Sequence, residues 1–465
     1  DPTDINAALY ASDTVAYRHN FNHTLNYDGS YDKWDWNLSF TYGENLNEVY
    51  QSNEHMPGVY PMASSFDRTL GQASVTYSGD IFTITGGVDY LNYITGEGAS
   101  TSVSNGQIAN PGKPLITTVE FENLAGYLVG NVRLLEEKLI FSGGLRYDYY
   151  KVSDRRFGAE DYGFTQPSSR LKSDPTKYGY DRFATSQTYS RLSPSLGVSY
   201  LPLEFLKLRA NWTHSFRPPS PRELFSSWYE SYGFSGYPWN KAENTDSYEF
   251  GFDLNDKYFS FSATYFFSHT KDYVYQHEDP IQDIRRVRNT DKQRRSGIEV
   301  SFNGNVAGAL GYTNIEVRPY FYLSYLFKTE ELYREGRQDI LGRWVNTYSS
   351  WIPKSTANYG LLVRVPSIKL TTNLNFSYWG NVYPSTVTLF TQGAYNPDLS
   401  YPSFTIVNFS LRKGLIDFGD KGNLELKLDA TNIFDKLYNY GDPNPATNPI
   451  YMPGRSFYAG LVYNF

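Results

Sequence analysis

The chain has 465 residues and no cysteine, which excludes disulfide scaffolds, thiolate metal sites and cysteine nucleophiles. Its formal net charge of −7 gives no support to a general nucleic-acid binder. Aromatic residues reach 17%, with 43 Tyr, yet mean hydropathy is −0.52, so the large apolar side chains are dealt out singly among polar ones.

The length alone suggests roughly three soluble domains, but the pattern along the chain does not divide that way. No run of about 18 apolar residues occurs, so no membrane-spanning helix is expected. The first residues, DPTDINAALYASD, have neither the basic start nor the apolar stretch of a signal peptide. Residues 1–13 read as a leading segment, and a first strand is expected near 14–28, ending in the short turn DGSYD at 28–32. In WDWNLSFTY, Trp34, Trp36, Leu38, Phe40 and Tyr42 share one face, against Asp35, Asn37, Ser39 and Thr41. LKLRANWTH repeats this with Leu206, Leu208, Ala210 and Trp212 opposed to Lys207, Arg209, Asn211 and Thr213. FSFSATYFF, LTTNLNFSY and LELKLDAT follow the same rule, and the last puts Glu425, Lys427 and Asp429 on its polar face. The closing SFYAGLVYNF sets Phe457, Ala459, Leu461, Tyr463 and Phe465 on one side. Period-two alternation sustained over eight or more residues is a strand signal, and no stretch of helical periodicity competes with it.

About seventeen such strands can be counted. Many exceed ten residues, long for a globular strand but suited to crossing a bilayer at a tilt. The connections alternate in length. Short ones fall at 28–32, 79–81, 201–204, 255–257 and 365–367, long ones at 45–64, 95–113, 156–185, 217–240, 329–345, 381–399 and 438–453. Short turns on one side and long loops on the other are expected of an outer-membrane barrel. A large soluble all-β protein would explain the strands but not this side-dependence. The expectation is an all-β, transmembrane antiparallel barrel over 14–465 with long extracellular loops, its last strand ending on an aromatic at the lipid–water boundary. An odd strand count that begins on the loop side also leads us to expect that the chain lacks the first strands of the barrel.

Particular motifs narrow the class. Ser215 and Phe216 lead into RPPSPRELF at 217–225, and NKAENTDSYEFGFDL follows at 240–254, with NTDKQRRSGIEV at 289–300, LDATNIFDKLY at 428–438 and PGRSFYAGLVYNF at 453–465. In this order they resemble the TonB-dependent outer-membrane receptors, in which an FRAPS…EL element precedes a long outer loop. Pro218 replaces the alanine of that element, and Asn240, Glu243, Ser247, Glu249 and Gly251 match the next one loosely. The resemblance implies a 22-stranded barrel, of which the seventeen strands would be the sixth to the last. It also implies an N-terminal plug that contacts TonB, and neither plug nor contact segment is visible in this chain. The closing strand, with Phe457, Leu461, Tyr463 and Phe465, resembles the C-terminal targeting strand read by the barrel-assembly machinery.

The same resemblance implies import rather than catalysis, so neither an enzyme nor a cofactor is expected. Cargo would be a scarce, bulky nutrient: a ferric siderophore as the leading reading, then cobalamin or a glycan. Haem receptors of this type place a ligand His between the two central motifs, and 219–240 contains none. A passive diffusion pore is the alternative if the protein is truly plugless. An outer-membrane protease or lipase would need an acid/base or Ser–His set that cannot be assembled here. The six His are scattered, and His19 and His23, on one strand face, stand about 13 Å apart, too far to share a metal.

The loop SSWYESYGFSGYPWN gathers Trp228, Tyr229, Tyr232, Phe234, Tyr237 and Trp239, a density that suits stacking on a ring-bearing ligand, although loop packing or the membrane girdle would use the same residues. Arg217 and Arg222 are candidates for an anionic ligand, Arg217 equally for a structural role at the strand top. The run IRRVRNTDKQRR, with Arg285, Arg286, Arg288, Lys292, Arg294 and Arg295, could focus negative charge, or pair with lumen carboxylates or lipopolysaccharide phosphates. The expected partners are a small molecule or metal chelate, outer-membrane lipid and lipopolysaccharide, and the TonB complex.

Overall fold

The computed structural model describes residues 12–53, 56–97, 116–154, 186–220, 239–279, 284–289, 291–332, 353–382, 402–438 and 452–465, with short pieces at 103–104, 107–108, 223–224, 234–235, 342 and 344–346. Seventeen long strands run through it. They are β1 (Ser12–Tyr31), β2 (Trp34–Asn53), β3 (Met56–Ser78), β4 (Phe82–Glu97), β5 (Ile116–Leu134) and β6 (Leu139–Asp154). Next come β7 (Ser186–Leu203), β8 (Leu206–Arg217), β9 (Glu243–Asn255), β10 (Phe259–Lys271), β11 (Lys292–Gly304) and β12 (Glu316–Leu332). The series closes with β13 (Ser355–Val365), β14 (Leu370–Trp379), β15 (Phe404–Asp417), β16 (Asn423–Thr431) and β17 (Ser456–Asn464). Each pairs antiparallel with the next in one sheet, which a short strand, Trp344–Asn346, extends beside the end of β12. Among the described residues, β1 pairs only with β2 and β17 only with β16.

The alternation reads out as two unlike faces. Leu38 and Phe40 are about half exposed and Leu25 is 74% exposed, while the polar residues between them bond across the ladder on the other side. There Asn37 donates to Asp28 at 2.6 Å, Ser39 to Asn26 at 2.7 Å, and Thr24 and Thr41 meet at 3.0 Å. Apolar residues outward and bonded polar residues inward is the arrangement of a wall whose outside faces hydrocarbon. Arg209 shows how the lumen face is knitted: it reaches Asp253 at 3.0 Å, then Ser262 and Thr264 two strands away at 3.1 and 2.8 Å. An amide and hydroxyl ladder through Tyr320, Asn358, Asn373, Asn375 and Ser377 does the same on β12–β14.

Two expectations change, and one short element is added. The segment 45–64 is not a loop: β2 and β3 stay paired up to Asn53 and Met56, with Glu48 opposite Ala63 and Tyr50 opposite Pro61. Its Asn, Gly and Pro read as loop composition, but Asn and Gly keep both backbone groups for the ladder, and Pro57 and Pro61 each withhold only a donor. The turn after the first strand is shorter than 28–32, because β1 continues to Tyr31 and the chain reverses at Asp32 with φ of 53°. A single-turn helix, Val306–Ala309, lies in the β11–β12 connection, where the Asn305 side chain accepts from the Gly308 N–H at 3.1 Å.

Candidate ligand-binding rim

At the loop end of β8 the chain leaves the wall through Pro218 and Pro219, both buried. Proline removes a donor and fixes φ, so the strand ends there. Ser220 and Glu223 then bond reciprocally: the Ser220 N–H donates to Glu223 Oε2 at 2.6 Å, and the Glu223 N–H to Ser220 Oγ at 3.3 Å. That S-x-x-E exchange has the form of a capping box. Glu223 and Glu243 together hold Arg217. The guanidinium donates from Nε and Nη2 to Glu243 at 2.9 and 2.6 Å, and from Nη1 to Glu223 at 2.8 Å. Because Arg217 and Glu243 are direct cross-strand partners in β8 and β9, the fork needs no reach to close.

The clasp extends to a second loop. Glu243 Oε1 also accepts the Val274 N–H at 2.7 Å, and buried Asn240 donates to the Glu223 carbonyl at 3.2 Å. Asn240 Oδ1 accepts the Asn289 N–H at 3.2 Å, while Asn289 Oδ1 accepts the Lys241 N–H at 2.7 Å. From the wall, Tyr189 donates its hydroxyl to the Asn240 carbonyl at 2.8 Å. Leu224, 1% exposed, seats on Val119, Phe121 and Val152 of the inner wall. Phe121 belongs to a row of rings through Phe66, Tyr93, Phe121 and Tyr150, with centroids 5.4, 4.7 and 5.3 Å apart. The feet of the loops after β8 and β10 are thus fixed to each other and to the wall.

Higher up, the same two loops share a sheet. Val274–Asp279 and Ile284–Asn289 form a hairpin, and Phe234–Ser235 adds to it in parallel, with Phe234 opposite Arg285 and Ser235 opposite Arg286. The aromatic loop and the basic run, separate motifs in the sequence, therefore meet through their backbones. Trp239 lies where the loop returns, 39% exposed, beside buried Asn240. Arg222, Trp228, Tyr229, Tyr232 and Tyr237 lie outside the described residues. Arg217, with all three guanidinium nitrogens bonded to carboxylates, is engaged in the clasp. Phe457, Leu461, Tyr463 and Phe465 all stand exposed on the closing strand and its end.

Sequence reasoning passed over Glu223, Leu224, Tyr189 and Asn289, although the S-x-x-E spacing at 220–223 was a readable signal. It also did not separate Arg295 from the rest of the basic run. Arg295 is on the lumen side of β11, opposite Thr329 of β12, and neither Arg295 Nε nor Thr329 Oγ1 has a hydrogen-bond partner among the described residues, though both atoms are buried. Beside them Gln293 donates to Glu331 at 2.9 Å. Burial pushes the Tyr273 phenol at the loop foot above its ordinary value, and Glu331 adds to this, so that hydroxyl remains protonated. A donor-rich, lumen-facing patch results.

A family profile described as "TonB dependent receptor-like, beta-barrel" matches residues 1–433. Among solved structures, the FrpB iron transporter from Neisseria meningitidis is similar with a TM-score of 0.68 and 18% identity over 97% of this chain and 64% of that one. The copper transporter OprC gives a TM-score of 0.70 at 16% identity, over 97% and 65% of the two chains. The ferric citrate transporter FecA in its unliganded form gives 0.68 at 18%, over 97% and 62%. The chain thus spans a little under two thirds of the length of these solved chains. A comparison with curated proteins finds no match.

Proposed function

Because the chain belongs to the TonB-dependent receptor-like β-barrel family, we propose that it forms the barrel of an outer-membrane receptor for TonB-energised uptake of a ferric siderophore. The observation that carries the cargo class is Arg295: a cationic side chain on the lumen wall with an unanswered donor, below the sheet that joins the aromatic and basic loops. An anionic ferric complex would supply the missing acceptors, and a buried donor left unsatisfied is costly enough that a ligand filling it gains affinity. Phe234, Trp239, Arg285 and Arg286, with Arg222, Trp228, Tyr229, Tyr232 and Tyr237 of the same loop, would contact the cargo above it, and Arg217 would hold the loop foot. The similarity to iron and ferric citrate transporters supports this reading. Such a receptor makes and breaks no bond in its cargo. Energy would reach it from the TonB complex through a plug domain.

The test is a titration of the intact receptor, purified from a Gram-negative outer membrane, followed by tryptophan fluorescence. Saturable binding of a ferric siderophore, lost when the metal-free chelator replaces it, is the expected result. Preference for cobalamin, an oligosaccharide or copper ions would move the cargo elsewhere within the family. Free passage of small sugars through the protein in liposomes would make it a diffusion pore.

A further inference from the structure

The ladder between β7 and β8 is incomplete. β7 stays in register with β6 from Ser186 onward, and β8 stays in register with β9 up to Arg217. Between β7 and β8, pairing stops where Ser195 stands opposite Thr213, so 186–194 and 214–217 share no backbone register among the described residues. Proline has no N–H for a ladder and belongs at strand edges or bulges. Pro194 adjoins the last pair, and from it upward β7 is an edge. The seam reaches the level of lipid. On its outer side Leu196 and Leu192 are 62% and 50% exposed, and Leu192 and Ser190 are the register partners of exposed Tyr147 and Tyr149 on β6. Such rings mark the edge of the hydrocarbon, where backbone without a partner is costly.

Side chains close what the backbone leaves open. By alternation Phe216 belongs to the outer face with Trp212 and His214, yet its ring meets that of Tyr150 edge-on, with centroids 5.5 Å apart. Tyr150 is on the lumen face of β6, and β7 lies between the two strands, so the contact is made across the unpaired stretch. Behind Tyr150 sits the apolar cluster of Val119, Phe121, Val152 and Leu224, with Leu91 and Tyr189 packed against it. The lumen face elsewhere is knitted by hydroxyls, amides and ion pairs. An apolar outer mouth is therefore joined to an apolar inner patch by a slot that one aromatic ring closes.

We propose that this seam is a lateral port for the hydrocarbon chain of a single-chain amphiphile dissolved in the outer leaflet, with Phe216 as its gate. When the Phe216 ring turns to the outer face that alternation assigns it, a methylene chain takes its place against Tyr150 and ends on the cluster. Hydrocarbon is the class that fits because both mouths are apolar and burial of such a chain is favourable. The space on offer is that of one ring, which a single chain fills. The port concerns the chain and not the polar head, so it stands whatever nutrient the rim binds.

Photolabelling of the intact receptor in lipid vesicles with diazirine-bearing palmitic acid, mapped by mass spectrometry, tests it. Label on the lumen-facing residues Tyr150, Tyr189 or Leu91 is expected, several-fold stronger in Phe216→Ala. The chain has no cysteine, so Ser193→Cys with Ser215→Cys, the next rung the register would form, introduces the only thiols. Their disulfide should abolish the lumen label, and reduction should restore it. Heat-dependent gel mobility reports whether each variant is folded. If the cysteine pair does not fold or does not close, Phe216→Ala against the parent decides the matter. Label confined to outer residues such as Leu192 and Leu196, or unchanged by Phe216→Ala, overturns the proposal. Lumen label that survives the disulfide does so too, since the chain would then have entered from the rim. Equal lumen labelling by a diazirine-bearing phosphatidylcholine also overturns it, by making the slot a seat for bilayer lipid.

Discussion

At the turn end of the wall, Lys33 reaches Asp80 at 2.8 Å with the two side chains 41% and 87% exposed, and Lys369 reaches Asp417 at 2.6 Å with both more than half exposed. At the loop end, Arg217 reaches Glu243 at 2.6 Å, but there the carboxylate is 9% exposed and also serves a backbone N–H of another loop. The distances are alike and the consequences are not. Water competes for both partners of an exposed pair, and holding two long side chains together costs entropy, so little stability remains. A carboxylate withdrawn from water has no such alternative, and removing it strands its partners. Short turns close on themselves and need little help. Loops of twenty residues or more have feet that must be tied down if their tips are to hold a ligand.

The largest effect should therefore come from Glu243→Ala, which leaves the Val274 N–H without an acceptor and Arg217 with half its partners. It should lower stability by about 2–3 kcal/mol, read as the shift of a urea-unfolding midpoint in lipid vesicles. Asn240→Ala removes two bonds that join the loop feet and should cost about 2 kcal/mol, with faster proteolysis confined to 218–242 and 272–291. Arg295→Gln should leave the unfolding midpoint in place but weaken the ferric complex about tenfold or more, because the bond lost is to a charged group. A ligand unaffected by it would detach Arg295 from the cargo site. Lys33→Ala should do nothing measurable. Asp80 is held below its ordinary 3.8, chiefly by its hydrogen bond to Lys33, which fixes the sign of the pair's pH dependence but gives it no measurable size. Its small contribution is present above 3.8 and lost as pH falls through the lower folded-state value. A clasp variant that behaved like Lys33→Ala would erase the distinction between the two ends.

Much of the wall was legible because lipid imposes a rule on every second residue. Trp34, Leu38, Phe40 and Tyr42 could be assigned to one face from spacing alone, and all four stand exposed on it. The rule fails where a residue is inserted. At the bulge opposite Ser296 and Gly297, β12 changes parity, so Ser324 faces the lumen below it and Thr329 and Glu331 above it. No period-two reading of 316–332 anticipates that step. The clasp was hidden for another reason. Its members come from 189, 217–224, 240–243, 274 and 289, and only the folded register of β7 to β11 brings them together. The quoted motifs marked both of its ends but not that they meet.

The alternation has one more consequence, for how the protein reaches its membrane. A single strand that is polar at every other position, with its backbone unpaired, has no stable place in hydrocarbon. Only when neighbouring strands have satisfied one another does an apolar outer surface exist. Insertion and folding are therefore one event for this chain, and until that event it travels as a hydrophilic polypeptide that an apolar bilayer has no means of arresting.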